Sequence, residues 1–180
     1  YMQRYPELVD RAFLLSVEPV SHEYDDSQGI WNVIKRVEKY ALEDPKIAKE
    51  LPEIGLIEAV KVIVERLEQA PQQVALTMPK YMLNETITVT ADDFRNFPYY
   101  KWNMEAWPKY ITELYNEDYR FLAIWKWETE NLPKKVEKEM LILPLVNTSI
   151  GISPKRAKEL TSREALKWVK DPGNVQRLWK

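Results

Sequence analysis

Cysteine is absent, histidine occurs once, and glycine only four times in 180 residues. Without cysteine there is no disulfide, no thiolate metal site and no cysteine nucleophile. A Ser–His–acid triad would have to use His22. Its acids Glu23, Asp25 and Asp26 are sequence neighbours in a polar connector, which reads as a solvated loop rather than a catalytic constellation. Gly29, Gly55, Gly151 and Gly173 are too scattered for a phosphate-cradling loop or a dinucleotide fingerprint, so nucleotide-dependent chemistry is not expected. Asp25/Asp26 and Asp92/Asp93 lack the ligand spacing of a calcium loop, and helix capping or solubility explains them better. No apolar run approaches the roughly 18 residues of a membrane span, and no signal-peptide pattern is present. The expectation is a protein without catalytic residues, metal, cofactor, small-molecule substrate or membrane span.

What the chain does contain is the balance of a globular domain. Hydrophobic residues make up 45% and charged residues 30%, values that place it outside the disordered class and allow one real core. Proline (12) outnumbers glycine, and Glu and Lys dominate the charges, a balance similar to that of hyperthermophile proteins. The net charge of −2 is unevenly spread: residues 1–100 carry 11 Lys and Arg against 17 Asp and Glu, residues 101–180 carry 15 against 11. Such asymmetry marks either a polyanion-binding region or head-to-tail contact between subunits.

The most informative stretch is Pro108–Leu132, PKYITELYNEDYRFLAIWKWETENL. It has no glycine, and its one proline is at the start, where a missing N–H costs nothing. Ile111, Leu114, Tyr115, Phe121, Leu122 and Trp125 recur at three- and four-residue steps, which predicts one helix of roughly 37 Å. Past Arg120 only Lys126 is clearly polar up to Trp127, so this end must be enclosed, by its own domain or by another subunit.

Around it the pattern predicts a mostly α, irregular helical bundle with short extended segments. One domain, 1–180, is expected, with 1–24 a candidate N-terminal arm and 133–180 a basic C-terminal helical region. Helices are read from Pro6, from a cap at Asp26 or Ser27 through Ile30, Trp31, Ile34, Val37 and Leu42, from Asp44-Pro45 to Leu51, and over Ile54–Ala70. Thr86–Thr90 alternates as a short strand that must pair with Leu141–Ile152, cross to another subunit, or be a loop. Thr90-Ala-Asp-Asp93 and Thr161-Ser-Arg-Glu164 are read as capping boxes, and Ser153 as the cap of a helix to Leu160.

Two features bear on nucleic acid. Tyr99, Tyr100, Trp102 and Trp107, interleaved with Lys101 and Lys109, suit either base stacking or a buried interface. Ile150–Leu160 (IGISPKRAKEL) resembles the turn and second helix of a helix-hairpin-helix DNA-binding motif through Gly151, Ile152 and Ala157, with Ser153 where a second glycine is expected. Helix amides with Lys155, Arg156 and Lys158 suit a phosphate; an ordinary Ser-capped amphipathic helix is the plainer reading. Arg163, Lys167, Lys134 and Lys135 extend the candidate DNA-contacting set.

The long aromatic helix, the start at Tyr1 and the Glu/Lys-rich composition together resemble the coat proteins of filamentous viruses of hyperthermophilic archaea. That resemblance implies a self-assembling virion subunit that packs with copies or a paralogous partner around linear double-stranded DNA. It implies a subunit interface built from Phe121, Ile124, Trp125, Trp127, Trp102 and Trp107. The alternative is a soluble, cytoplasmic DNA-binding module using 150–160; a carboxylate- or metal-dependent enzyme ranks third.

Overall fold

A computed structural model of the protein describes residues 5–8, 27–100, 104–131 and 153–169; the side chains of Pro6 and of residues 97–100 are outside that description. In chain order the helices are α1 (Ser27–Glu43), α2 (Pro45–Ala48) and α3 (Gly55–Gln69). Strands β1 (Gln72–Met78) and β2 (Leu83–Val89) follow, then α4 (Ala91–Tyr100), α5 (Trp107–Tyr115), α6 (Arg120–Asn131) and α7 (Pro154–Thr161). Single 3-10 turns lie at Pro6–Leu8, Pro79–Tyr81, Met104–Ala106 and Glu164–Lys167. The fold is mostly α, with one small antiparallel hairpin.

Helix α3, not the 108–132 stretch, is the centre. Leu56, Ala59, Val60, Ile63, Val64 and Leu67 are all buried, and α1, α4 and α5 pack around it. Six apolar positions over four turns give a stripe wide enough to serve several neighbours at once. Its start has no capping side chain of its own, because Ile54 stands at the cap. Glu38 of α1 serves instead: its Oε1 accepts the Ile57 N–H at 3.1 Å, at the positive end of the helix. Gly55 makes room for this. Its φ is +79°, and a Cβ there would stand 2.6 Å from that carboxylate oxygen.

The predicted single helix over 108–132 is two helices. At the end of α5, Glu117 takes φ +67°, its N–H reaching the Leu114 carbonyl at 3.1 Å and the Asp118 N–H reaching Glu113 at 2.9 Å. This pair of bonds is a Schellman stop, with Glu where glycine is usual. Asp118 then accepts the Arg120 N–H at 3.2 Å and opens α6. The stop is invisible to a glycine search, which is why apolar periodicity ran across it.

The strand expected over Thr86–Thr90 is β2, and its partner is β1, which the alternation had not singled out; Leu141–Ile152 lies outside the described residues. The register pairs Gln72 with Val89, Val74 with Ile87, Leu76 with Glu85 and Met78 with Leu83. Leu76, Leu83 and Val89 point into the core, with Val74 and Ile87 half-buried beside them; Gln73, Ala75, Thr77, Asn84, Thr86 and Thr88 face outward. The inner face rests on α6, and Tyr81 in the connection meets Trp127 with ring centroids 5.0 Å apart.

Local signals fared unevenly. The Asp44 cap stands, its side chain accepting Lys46 N–H at 2.8 Å, although α2 ends at Ala48 rather than Leu51. The Thr90–Asp93 capping box is reciprocal: Asp93 accepts from the Thr90 N–H at 2.8 Å, and Thr90 Oγ1 accepts from the Asp93 N–H at 3.3 Å. Ser153 caps α7 by accepting from Arg156 N–H. The box at Thr161–Glu164 does not form. Thr161 closes α7, its hydroxyl donating back to Ala157 at 2.9 Å, and Glu164–Lys167 is one 3-10 turn. Leu42 is exposed, with Ala41 taking the inward position. Ser27 is buried and its hydroxyl has no partner, so it is not a cap. Of the helix read from Pro6, only Pro6–Leu8 is described, as a 3-10 turn.

Ala165 and Val169 join the same core as Trp31, Ile34, Phe94, Ile111 and Leu122. The segment 165–169 of the basic C-terminal region is therefore packed into the bundle, with Arg95 Nε donating to the Lys167 carbonyl at 2.8 Å.

Candidate nucleic-acid interface

Cations on this molecule fall into two populations. One meets acids. Lys126 of α6 binds Asp93 at 2.9 Å, and Arg66 of α3 lies 3.7 Å from Glu117. Arg95 of α4 binds Glu68 and Asp92, and Lys61 binds Glu58 at 2.6 Å. Lys109 and Arg120 pair with Glu113 and Asp118. Asp118 is held below the ordinary carboxylate value by the Arg120 guanidinium, with slight burial opposing.

The other population has no ion pair among the described residues: Lys35, Arg36 and Lys39 on α1, Lys46 and Lys49 at α2, Lys155, Lys158 and Lys167 in the C-terminal region, and Lys80 in the hairpin connection, over the Tyr81 ring. All nine are exposed. Lys35 and Lys39 stand one turn apart, as do Arg36 and Tyr40, so they form two adjacent rows on the outer face of α1. Of the acids on α1, Glu38 is turned inward to cap α3, and exposed Glu43 stands one turn beyond Lys39 without an ion pair to it. The 3-10 turn at Glu164–Lys167, which carries Lys167, packs against α1. Exposed Tyr40, Leu42, Ile47 and Ile54 lie among the α1–α2 cations.

Of the residues singled out from sequence for DNA contact, Lys155, Lys158 and Lys167 are free. Arg156 and Arg163 are not: both clasp Glu159, at 2.9 and 2.5 Å. Lys134 and Lys135 lie outside the described residues, as do Gly151 and Ile152 of the hairpin-like turn. Trp107 is 3% exposed in the core and offers no stacking face; Trp102 is outside the description. The α1–α2 cations are not among the residues singled out, although five basic residues, against three acids, lie between 35 and 49.

The expected subunit interface also changes. Trp107 and Trp125, 3% and 8% exposed, belong to the chain's own core. Phe121 is half-buried and stacks on Tyr110 with centroids 3.9 Å apart, while Trp127 and Ile124 are half-buried against the same core. The hairpin and α5 supply cover that the sequence reading had assigned either to the domain or to another subunit.

His22, Asp25 and Asp26 are outside the described residues. Asp92 and Asp93 are engaged by Arg95 and Lys126. Among the described residues no three His, Asp or Glu side chains converge as a metal site. No helix there is long and apolar enough to cross a membrane. Compared with protein-family models, curated proteins and solved structures, the chain matches none.

Proposed function

We propose that this protein is a structural, self-assembling subunit that packs with copies or a related partner along double-stranded DNA, holding it through phosphate contacts. The class follows the resemblance to coat proteins of filamentous viruses of hyperthermophilic archaea, which makes the virion its place of action. The observation that carries the DNA part is the segregation of cations. Residues that stabilise the fold are paired with acids, whereas Lys35, Arg36, Lys39, Lys46, Lys49 and Lys167 are exposed and unpaired on touching elements, with Lys155 and Lys158 exposed on the helix that precedes Lys167 in the chain. Phosphate neutralisation releases counterions and reads no sequence, so a modest patch on a chain of net charge −2 is sufficient for backbone contact.

A DNA titration at several salt concentrations tests this. Replacing Lys35 and Lys39 together with alanine lowers affinity equally for unrelated sequences and reduces the salt slope by about 2. An unchanged slope sinks the reading. The second reading, a DNA-binding module using the turn at 150–160, is favoured by the Ser153-capped start of α7 with free Lys155 and Lys158. Under it, Lys155→Ala with Lys158→Ala removes binding while the α1 pair has no effect.

A further inference from the structure

The hairpin has two edges, and they are unlike. Along β2, α6 reaches over: Lys126 Nζ donates to the Thr88 carbonyl at 2.9 Å. Along β1, four successive residues, Gln72 to Ala75, line an open cleft of about 410 Å³ whose other wall is the α5–α6 turn, Asn116–Arg120. A cleft that meets four consecutive strand residues runs along the strand's edge, because one face would present alternate residues only. Among the described residues, β2 is the single strand paired with β1.

Edge strands are ordinarily guarded by a charge, a proline or a bulge. Gln72–Met78, QQVALTM, has no charged residue and no proline, and it pairs with β2 over seven successive positions without a bulge. Unguarded edges add strands. The cleft walls suit a neutral occupant, since Asp118 and Arg120 neutralise each other and Glu117 faces Arg66.

We propose that the free edge of β1 joins a second copy of this chain, β1 against β1, antiparallel about a two-fold axis at Ala75. This rests on the self-assembly reading above and names its contact. The strand is complementary to itself in that register. Val74 meets Leu76 of the second copy on the inner side, Gln73 meets Thr77 on the outer side, and two alanines meet at the axis. A shift by one residue would set inward side chains against outward ones, and a shift by two leaves residues unpaired.

Ala75→Cys introduces the only thiol in the chain, at a position exposed in the single subunit. Paired Cα atoms across an antiparallel ladder are about 4.5–5.5 Å apart, within disulfide range. Mild oxidation therefore gives a covalent dimer, while Thr86→Cys, outward on β2, gives none under the same conditions. Ala75→Glu sets two carboxylates face to face and weakens dimerisation about tenfold or more by light scattering, with an unchanged circular dichroism spectrum. Wild-type protein that stays monomeric at high concentration without DNA overturns both this contact and self-assembly. Assembly that persists in Ala75→Glu, or cross-linking no greater at 75 than at 86, overturns the β1 edge alone. The Lys35/Lys39 titration reads DNA binding independently of either result.

Discussion

The junction where α3, α4, α6 and the hairpin meet, and the corner formed by α1 and α2, treat charge in opposite ways. At the junction, Lys126 joins α6 to Asp93 and to the end of β2, Arg95 ties α4 to Glu68 and to the Lys167 carbonyl, and Arg66 donates to the Tyr115 carbonyl at 3.0 Å. These partners are remote in sequence, so each cation fastens two elements together. At the corner, Lys35, Arg36, Lys39, Lys46 and Lys49 fasten nothing, and apolar Tyr40, Leu42, Ile47 and Ile54 stand exposed among them. A half-buried cation needs its acid for the fold to hold; an exposed one costs little to leave free. The contrast separates side chains that build the molecule from those available to something outside it.

Breaking the junction gives the largest effect. Asp93→Ala removes the capping-box carboxylate and leaves Lys126 half-buried without its acid, for a loss of about 2–3 kcal/mol in urea unfolding. A loss under about 0.5 kcal/mol would mean that the junction cations are no more structural than those of the corner. Next comes Gly55→Ala, at the seam between the two regions. It forces a left-handed residue and crowds the Glu38 cap of α3, and about 2 kcal/mol of stability is lost by the same measurement. The Lys35/Lys39 double alanine variant sharpens the comparison from the other side, changing stability by less than about 0.5 kcal/mol while DNA affinity falls.

The smallest effect concerns Asp118, which Arg120 holds below its ordinary value of 3.8. A folded value below the unfolded one contributes stability above about pH 4, and that contribution is lost as pH falls through the folded value. Asp118→Asn is therefore slightly less stable than wild type at neutral pH, and the gap closes in acid. A gap independent of pH would assign the effect to the turn's hydrogen bonds rather than to charge.

Helix existence, capping at Asp44, Thr90 and Ser153, and the mostly α class were legible because each depends on residues within one turn of each other. The split between α5 and α6 was not, because Glu117 adopts the conformation that glycine usually signals. The hairpin was half legible: β-branched Thr86–Thr90 announced β2, while Gln and Ala diluted the alternation of β1. Candidate contact residues suffered likewise. Arg156 and Arg163 look as available in sequence as Lys155, and only their shared Glu159 shows otherwise.

By itself the sequence determined the periodic apolar faces, most of the local caps, and the absence of any cysteine chemistry. Those are properties of residue type and short spacing. Only the tertiary structure decided which apolar face lies at the centre, which aromatic residues the chain shelters for itself, and which cations have an acid within reach. Each of those depends on what stands opposite in space, across separations of tens of residues that no local pattern encodes.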